Sequence, residues 1–470
     1  MSLGTKRKKV LVIGLDCAPP ELVFEQWRDE LPNFKRVMDD GVWGRLESCI
    51  PAITVPAWSS MMSSKDPGTL GFYGFRNRGD YSYEKNTLAN SNSVKTDRVW
   101  DVLSRAGKKV ITVGVPQTYP PKPVNGIQVG CFLTPSTTNP ERPYTYPASV
   151  MQEISSTVGE YLVDVPNFRT EDKDYLLRQI YTMTEKRFKL VKKWIAEKDW
   201  DFFMFVEMGT DRIHHGLWKY HDPTHHKYEV HPIYNESIHN YYRYLDNEIG
   251  QILDLIDEEN TTVYIVSDHG AKKMDGGICV NEWLIREGYL TLKSQPATLT
   301  AIDRCEIDWS KTRVWGDGGY YARIFLNIEG REPQGIVKPS EVEALRDELK
   351  AKLEALPDHT GANIGTRVFK PKEIYKACNG VPPDLIVYFG DLFWRSVGSV
   401  GHGSIYTFDN DTGPDDCNHA QFGIVIKHDP AVREGPGGRE LPGLQLMDMA
   451  PSILEQLDVP VPADMQGKAF

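Results

Sequence analysis

Lys9-Val10-Leu11-Val12-Ile13-Gly14-Leu15-Asp16 is the stretch on which the fold turns. A strand with one buried face alternates apolar and polar residues. Here the aliphatic and β-branched run is unbroken until it ends in an acid, so it predicts a strand covered on both faces, as in a parallel sheet. The same signature returns at 110–115, 201–206, 261–266, 384–389 and 423–426. Between these runs lie stretches with helical periodicity, at 97–106, 174–197, 237–257, 341–356 and 447–457. Such alternation predicts an α/β sheet with helices on both faces.

In sheets of this design the ligand crevice lies beyond the carboxyl ends of the strands. The residues just after the runs are repeatedly Asp and His. Between 295 and 380 the pattern changes: 313–328 predicts antiparallel strands and 341–356 a surface helix. The expected organisation is an α/β core over 8–294 and 381–470, interrupted by a smaller α+β insertion or cap at 295–380. A Pro-rich segment, 116–147, predicts a long ordered loop over the active face, anchored by Tyr119, Phe132 and Tyr144.

Composition sets the outer limits. With 470 residues, 40% of them hydrophobic, and 39 Gly and 31 Pro spread along it, the chain can bury one large core or a core plus an insertion. Its longest apolar runs fall far short of the roughly 20 residues that span a bilayer, so no membrane partner is expected. The basic start Lys6-Arg7-Lys8-Lys9 is followed only by the run 10–15 before Asp16, too short and too polar for a cleavable signal. Seven cysteines, an odd number without a CxxC pair, predict reduced thiols and a cytoplasmic location. A formal charge of −11 argues against a nucleic-acid polymer as partner. A small anionic substrate is compatible with it, because a bound metal outweighs the global charge locally. Nothing in the sequence speaks to oligomeric state.

Several residues carry chemistry. Asp16 puts a carboxylate at the crevice. In Ile53-Thr54-Val55-Pro56, a hydroxyl precedes a proline suited to the first turn of a helix over 56–63. A helix N-terminus favours phosphate and the alkoxide form of a nearby nucleophile; the plainer role for Thr54 is the helix N-cap. Asp211 and His215, spaced i, i+4 after the 201–206 run, can face one cation from a single helical turn. His214 points elsewhere, and His221, His225 and His226 are expected at the surface. Ser267-Asp268-His269-Gly270 places two adjacent ligands on a strand end before a permissive glycine. A further imidazole comes from His419, in Asn418-His419-Ala420, or from His402, and spacing does not choose between them. With His419 the set is three Asp, three His and one hydroxyl, enough for two divalent cations. Mixed imidazole and carboxylate ligation suits Zn(II) first and Mn(II) second.

In order, these motifs resemble the ligand series of the alkaline phosphatase superfamily, and most closely its type I phosphodiesterase/nucleotide pyrophosphatase group. Within that group the chain is similar to a cytoplasmic prokaryotic branch of phosphohydrolases and phosphomutases. Val12-Ile13-Gly14-Leu15-Asp16, Ile53 to Trp58, Pro116-Gln117-Thr118-Tyr119-Pro120, Gly209-Thr210-Asp211-Arg212, Ser267 to Gly270 and the ending Asp448 to Leu454 carry the likeness. It implies an alkaline-phosphatase-like three-layer α/β/α sandwich. It also implies Asp16, Thr54, Asp268 and His269 on one metal and Asp211, His215 and His419 on the other, which favours His419 over His402. Sulfatases of the superfamily need Cys or Ser at the nucleophile and Arg four residues on, where this chain has Thr54 and Trp58. The Asn that related nucleotide pyrophosphatases place about twenty residues after the nucleophile falls on Phe75, leaving Arg76 or Asn77 to hold a phosphoryl oxygen.

The expected reaction is hydrolysis of phosphate esters, most directly of phosphodiester or nucleotide pyrophosphate bonds, with Thr54 as nucleophile and a phosphothreonine intermediate. The alternative is a phosphomonoesterase or phosphomutase on the same site, with Arg76 and His402 taking the extra charge. The substrate class is a small-molecule phosphate ester.

Overall fold

The computed structural model describes residues 7–470, so the opening of the basic segment lies outside the described residues. Its centre is a ten-stranded, mostly parallel sheet. Across the sheet the strands run Arg439–Glu440, Val42–Glu47, Phe422–His428, Thr261–Val266, Lys9–Leu15, Phe202–Glu207, Val110–Val113, Gly126–Val129 and Thr145–Tyr146; Leu444–Gln445 also pairs with Val42–Glu47. Every residue from Val10 to Leu15, and all of Phe202–Glu207 and Thr261–Val266, is buried. Both faces are therefore covered, which is why these strands lack polar alternation. Pro32–Asp39, Val99–Arg105, Lys173–Glu197 and Met449–Gln456 are among the helices that pack on the sheet.

Three expectations from the sequence need correction. The 423–426 run belongs to Phe422–His428, which lies in the central sheet but pairs antiparallel with both neighbours. An apolar run reports burial on two faces and says nothing of direction. The 384–389 run becomes Leu385–Tyr388, which is not in the central sheet at all. It pairs antiparallel with Ala322–Leu326 and Arg367–Phe369 in a separate four-stranded sheet that begins with Val314–Asp317. The 116–147 loop adds two short strands, Gly126–Val129 and Thr145–Tyr146, to the edge of the central sheet.

That smaller sheet carries its own apolar cluster. Helix Val342–Glu354 buries Leu345, Leu349 and Leu353 in one cluster with Val314, Ile324 and Val387, and the cluster extends from Ile278 to Ile405, beyond 295–380 on both sides. Gly276–Cys279, between Trp394–Val397 and Tyr406–Thr407, ties its two ends together.

Candidate metal centre

Register explains how the first ligands meet. Thr261–Val266, Lys9–Leu15 and Phe202–Glu207 are adjacent parallel strands, with Gly14 opposite Val266 and Leu15 opposite Glu207. Neighbouring strands lie about 4.8 Å apart, so the residues just beyond their carboxyl ends emerge side by side. Asp16 comes directly after Lys9–Leu15 and Asp268 two residues after Thr261–Val266. Asp211 and His215 stand on helix Gly209–His221, which starts two residues after the third. All four side chains are almost completely buried.

Thr54 and His419 arrive from farther away. Helix Thr54–Ser63 has Ile53 as its extended N-cap and makes no side-chain cap bond, so Thr54 is its first helical residue and not its cap. The Thr54 hydroxyl instead lies 3.4 Å from Asp16 Oδ1 and 3.4 Å from His269 Nε2. His419 is delivered by Cys417–Ala420, which pairs antiparallel with Gly270–Lys273, with His419 opposite Ala271. This stacks its ring on His269 at 3.8 Å between centroids.

The seven atoms fall into two groups. In one, Thr54 Oγ1 is 3.4 Å from both Asp16 Oδ1 and His269 Nε2, and His269 Nε2 is 3.9 Å from Asp16 Oδ1 and 3.3 Å from Asp268 Oδ2. In the other, His215 Nε2 is 3.2 Å from Asp211 Oδ1 and 3.3 Å from His419 Nε2, and His419 Nε2 is 3.8 Å from Asp211 Oδ1. Around a tetrahedral cation with bonds of about 2.0–2.3 Å, ligand atoms sit roughly 3.3–3.8 Å apart. Both groups therefore have the edge lengths that a small divalent cation requires.

Ring orientation agrees. His215 Nδ1 faces Asp415 Oδ1 at 2.6 Å, His269 Nδ1 faces the Gly270 carbonyl at 3.1 Å and His419 Nδ1 faces the Ala52 carbonyl at 2.9 Å. Each acceptor holds the proton on Nδ1 and leaves an Nε2 lone pair directed into the cluster. Asp268 Oδ2 is buried and accepts no hydrogen bond from the described residues, whereas Asp16 Oδ2 takes one from the Trp58 indole at 2.7 Å.

The charges are out of balance in the protein alone. Burial, reinforced by the nearby Asp211 charge, pushes Asp16 up to about 8. Burial and the Asp16 charge hold Asp268 well above the usual carboxylate range. Burial lowers His269 to about 4 and, with His269 and His215 beside it, holds His419 well below an ordinary imidazole. Burial works against charging His215 too, but Asp415 and its other acidic neighbours outweigh it and raise that ring. Uncompensated carboxylates of this kind are costly unless paired or bound to metal. The two groups could thus hold metal ions.

Other candidates lie elsewhere. Asn77 Oδ1 accepts from the Tyr73 amide and its Nδ2 donates to the Gly74 carbonyl, so it braces its own turn instead of facing substrate. His402 bonds Ser399 Oγ at 2.9 Å and is not among the cleft-lining residues. His214 stacks on Tyr242. Of the three histidines expected at the surface, His226 is exposed, with Nδ1 on the Met274 carbonyl; His225 is instead buried with Nε2 on the Asp416 carbonyl, and the half-buried His221 packs on Trp27 and Trp218. Sequence reasoning assigned no role to Asp415 or Cys17. Asp415 sits in a polar loop without helical or strand periodicity, and only the folded chain shows that it also meets Tyr320, Arg169 and Arg395.

Above the cluster lies a cleft of about 740 Å³, with Thr54, Asp211, His215 and His419 in its floor and Phe75, Phe132, Leu133 and Phe168 among its apolar walls. Five arginines line it. Arg169 and Arg395 reach Asp415, Arg212 holds Asp164 through two bonds of 2.7 and 2.8 Å, and Arg323 reaches Asp317. Arg76 is exposed, and its guanidinium has no carboxylate partner among the described residues.

Comparison with known proteins places this architecture. No curated protein matches the sequence. The fold is similar to that of human ectonucleotide pyrophosphatase/phosphodiesterase 5, with a TM-score of 0.57 at 13% identity, covering 98% of this chain and 97% of that one. At that identity the likeness speaks for the fold alone. The family described as type I phosphodiesterase/nucleotide pyrophosphatase matches residues 10–415. Within the described residues no helix is long and apolar enough to cross a membrane. The chain belongs to the type I phosphodiesterase/nucleotide pyrophosphatase family, and is an enzyme of phosphate-ester chemistry with an alkaline-phosphatase-like fold.

Proposed function

We propose that the enzyme hydrolyses phosphodiester or nucleotide pyrophosphate bonds of small molecules through a phosphothreonine intermediate on Thr54. Asp16, Thr54, Asp268 and His269 would hold one divalent cation and Asp211, His215 and His419 a second, with zinc the best fit to these donors and manganese next. The observation that carries this reading is the Thr54 hydroxyl, uninvolved in capping, 3.4 Å from both Asp16 Oδ1 and His269 Nε2 at the floor of the cleft. When bound, the cations would supply the positive charge that activates a hydroxyl and stabilises developing oxyanions.

The chain's own groups do the rest. Thr54 Oγ1 attacks phosphorus as the bond to the leaving oxygen breaks, and water later cleaves the threonine ester. Backbone amides in the first turn of Thr54–Ser63 favour the phosphoryl charge. The smaller unit, for which we propose the span Gly276 to Thr407, walls the cleft with Tyr320, Tyr321 and Arg323. For location we propose the cytoplasm, on the strength of seven free cysteines. Acid quenching during turnover of bis-p-nitrophenyl phosphate, followed by peptide mass spectrometry, tests the intermediate. A phosphate on the Thr54 peptide is expected; full turnover by a Thr54→Ala variant would refute it.

Two substitutions probe the supporting groups. Arg76→Ala is expected to raise KM for phosphate esters by roughly tenfold or more with a smaller effect on kcat, since it removes one charge-assisted contact. Steady-state kinetics on bis-p-nitrophenyl and p-nitrophenyl phosphate check this, and a larger penalty on the monoester would mark Arg76 as the ligand of the extra charge. Asp415→Asn is expected to weaken cation binding by about 10- to 100-fold by releasing His215 Nδ1. Competition with a chromophoric chelator measures that loss, and unchanged affinity would show that Asp415 serves only its arginines.

A further inference from the structure

The second group contains one more donor than the seven residues supply. Cys17 Sγ lies within 4.8 Å of the ligand atoms of Asp211, His215 and His419, and those atoms lie within 4.8 Å of one another. The thiol is fully buried. Its position is set by backbone: Cys17 adopts φ +65, in the left-handed region that a β-carbon makes costly, and its amide donates to Asp268 Oδ1 at 3.3 Å. That conformation turns the side chain inward from the end of the central strand, where Sγ bonds the Gly270 carbonyl at 3.4 Å.

We propose that Cys17 is a thiolate ligand of the cation held by Asp211, His215 and His419. The inference rests on the two-cation reading of the site and adds a soft donor to it. Asp211, His215 and His419 line the cleft, whereas Cys17 does not. The sulfur thus approaches from the interior, and a substrate oxygen entering from the cleft side would be a fifth donor, the expansion that zinc allows in a transition state. As the sulfur–metal bond forms, the S–H bond breaks and its proton leaves to solvent, so one thiol and one dication give one thiolate complex and one proton. Thiolate is a poor donor for manganese or magnesium and a good one for zinc, so Cys17 biases this position, and not its neighbour, towards zinc.

Cys417 is the rival sulfur, because its Sγ lies 3.4 Å from His215. It meets Nδ1, however, the nitrogen that faces Asp415 and not the cluster.

X-ray absorption at the zinc edge tests the proposal on full-length protein loaded with two zinc ions, alongside Cys17→Ser and Cys417→Ser. The expected spectrum of wild type and of Cys417→Ser contains a zinc–sulfur path at about 2.3 Å. In Cys17→Ser that path is lost while the zinc content stays at two. A two-zinc wild-type protein without the sulfur path overturns the proposal and leaves the two-cation site standing. A path that survives Cys17→Ser and vanishes in Cys417→Ser also overturns it. Wild-type protein that retains less than one zinc per chain refutes the two-cation reading itself. If Cys17→Ser does not fold, Cys417→Ser decides the question: a sulfur path retained there supports Cys17, and its loss there overturns the proposal.

Discussion

Replacing Thr54 with alanine is expected to lower kcat/KM for a phosphodiester by about 10⁴-fold or more, in line with removal of a nucleophile elsewhere. The loss should fall on kcat, because the hydroxyl contributes little to holding the ground state. Thr54 is buried but makes no cap bond, so its removal leaves helix Thr54–Ser63 with its backbone bonding intact. Asp16, Asp268 and His269 remain within reach of one another, so most of the bound metal should stay. Thr54→Ser keeps a hydroxyl on the same carbon and should retain much of the activity. Kinetics with metal analysis on both variants separate the roles. Activity in the alanine variant close to wild type would mean that water attacks directly and that Thr54 only lines the site.

What could be read from the chain, and what could not, divides along local and non-local lines. That Asp16, Asp211, His215, Asp268 and His269 come together was legible because each comes after an apolar run, and adjacent parallel strands bring such ends together. The choice between His402 and His419 was not, since it depends on a two-stranded ladder joining segments far apart in sequence. Only the resemblance to a known family favoured His419. The surroundings of Asn77 were not legible for a related reason: its side chain bonds within a turn of its own, Tyr73 to Asn77, which composition does not reveal. Leu385–Tyr388 was assigned to the wrong sheet because burial on two faces looks the same in either core. Asp415 and Cys17 carry no pattern at all; their importance comes from what stands beside them.

Stripping the metals is expected to leave a protein whose stability falls more steeply than that of the metal-loaded form as pH rises from about 6.5 to 8. In the metal-free fold Asp16 titrates at about 8 and Asp268 well above the usual range, so both hold protons across this window that an unfolded carboxyl has released. His215 is raised as well, so it also keeps a proton that the unfolded ring gives up above its ordinary value near 6.5. All three groups bind more protons folded than unfolded, so each works in the same direction. Every excess proton costs about 1.4 kcal/mol of stability per pH unit. His269 and His419 have the opposite shift, but an imidazole with a lowered value affects stability only below about 6.5, outside the window. Two bound dications would neutralise these carboxylates and remove their protons, which is why the slope should shrink on reloading, leaving the share of Asp416, a buried carboxyl outside the ligand set that is raised to about 7. Denaturant melts of chelator-treated and zinc-reloaded protein at several pH values measure the difference. If the two forms show the same dependence, the buried cluster is not where the metal binds.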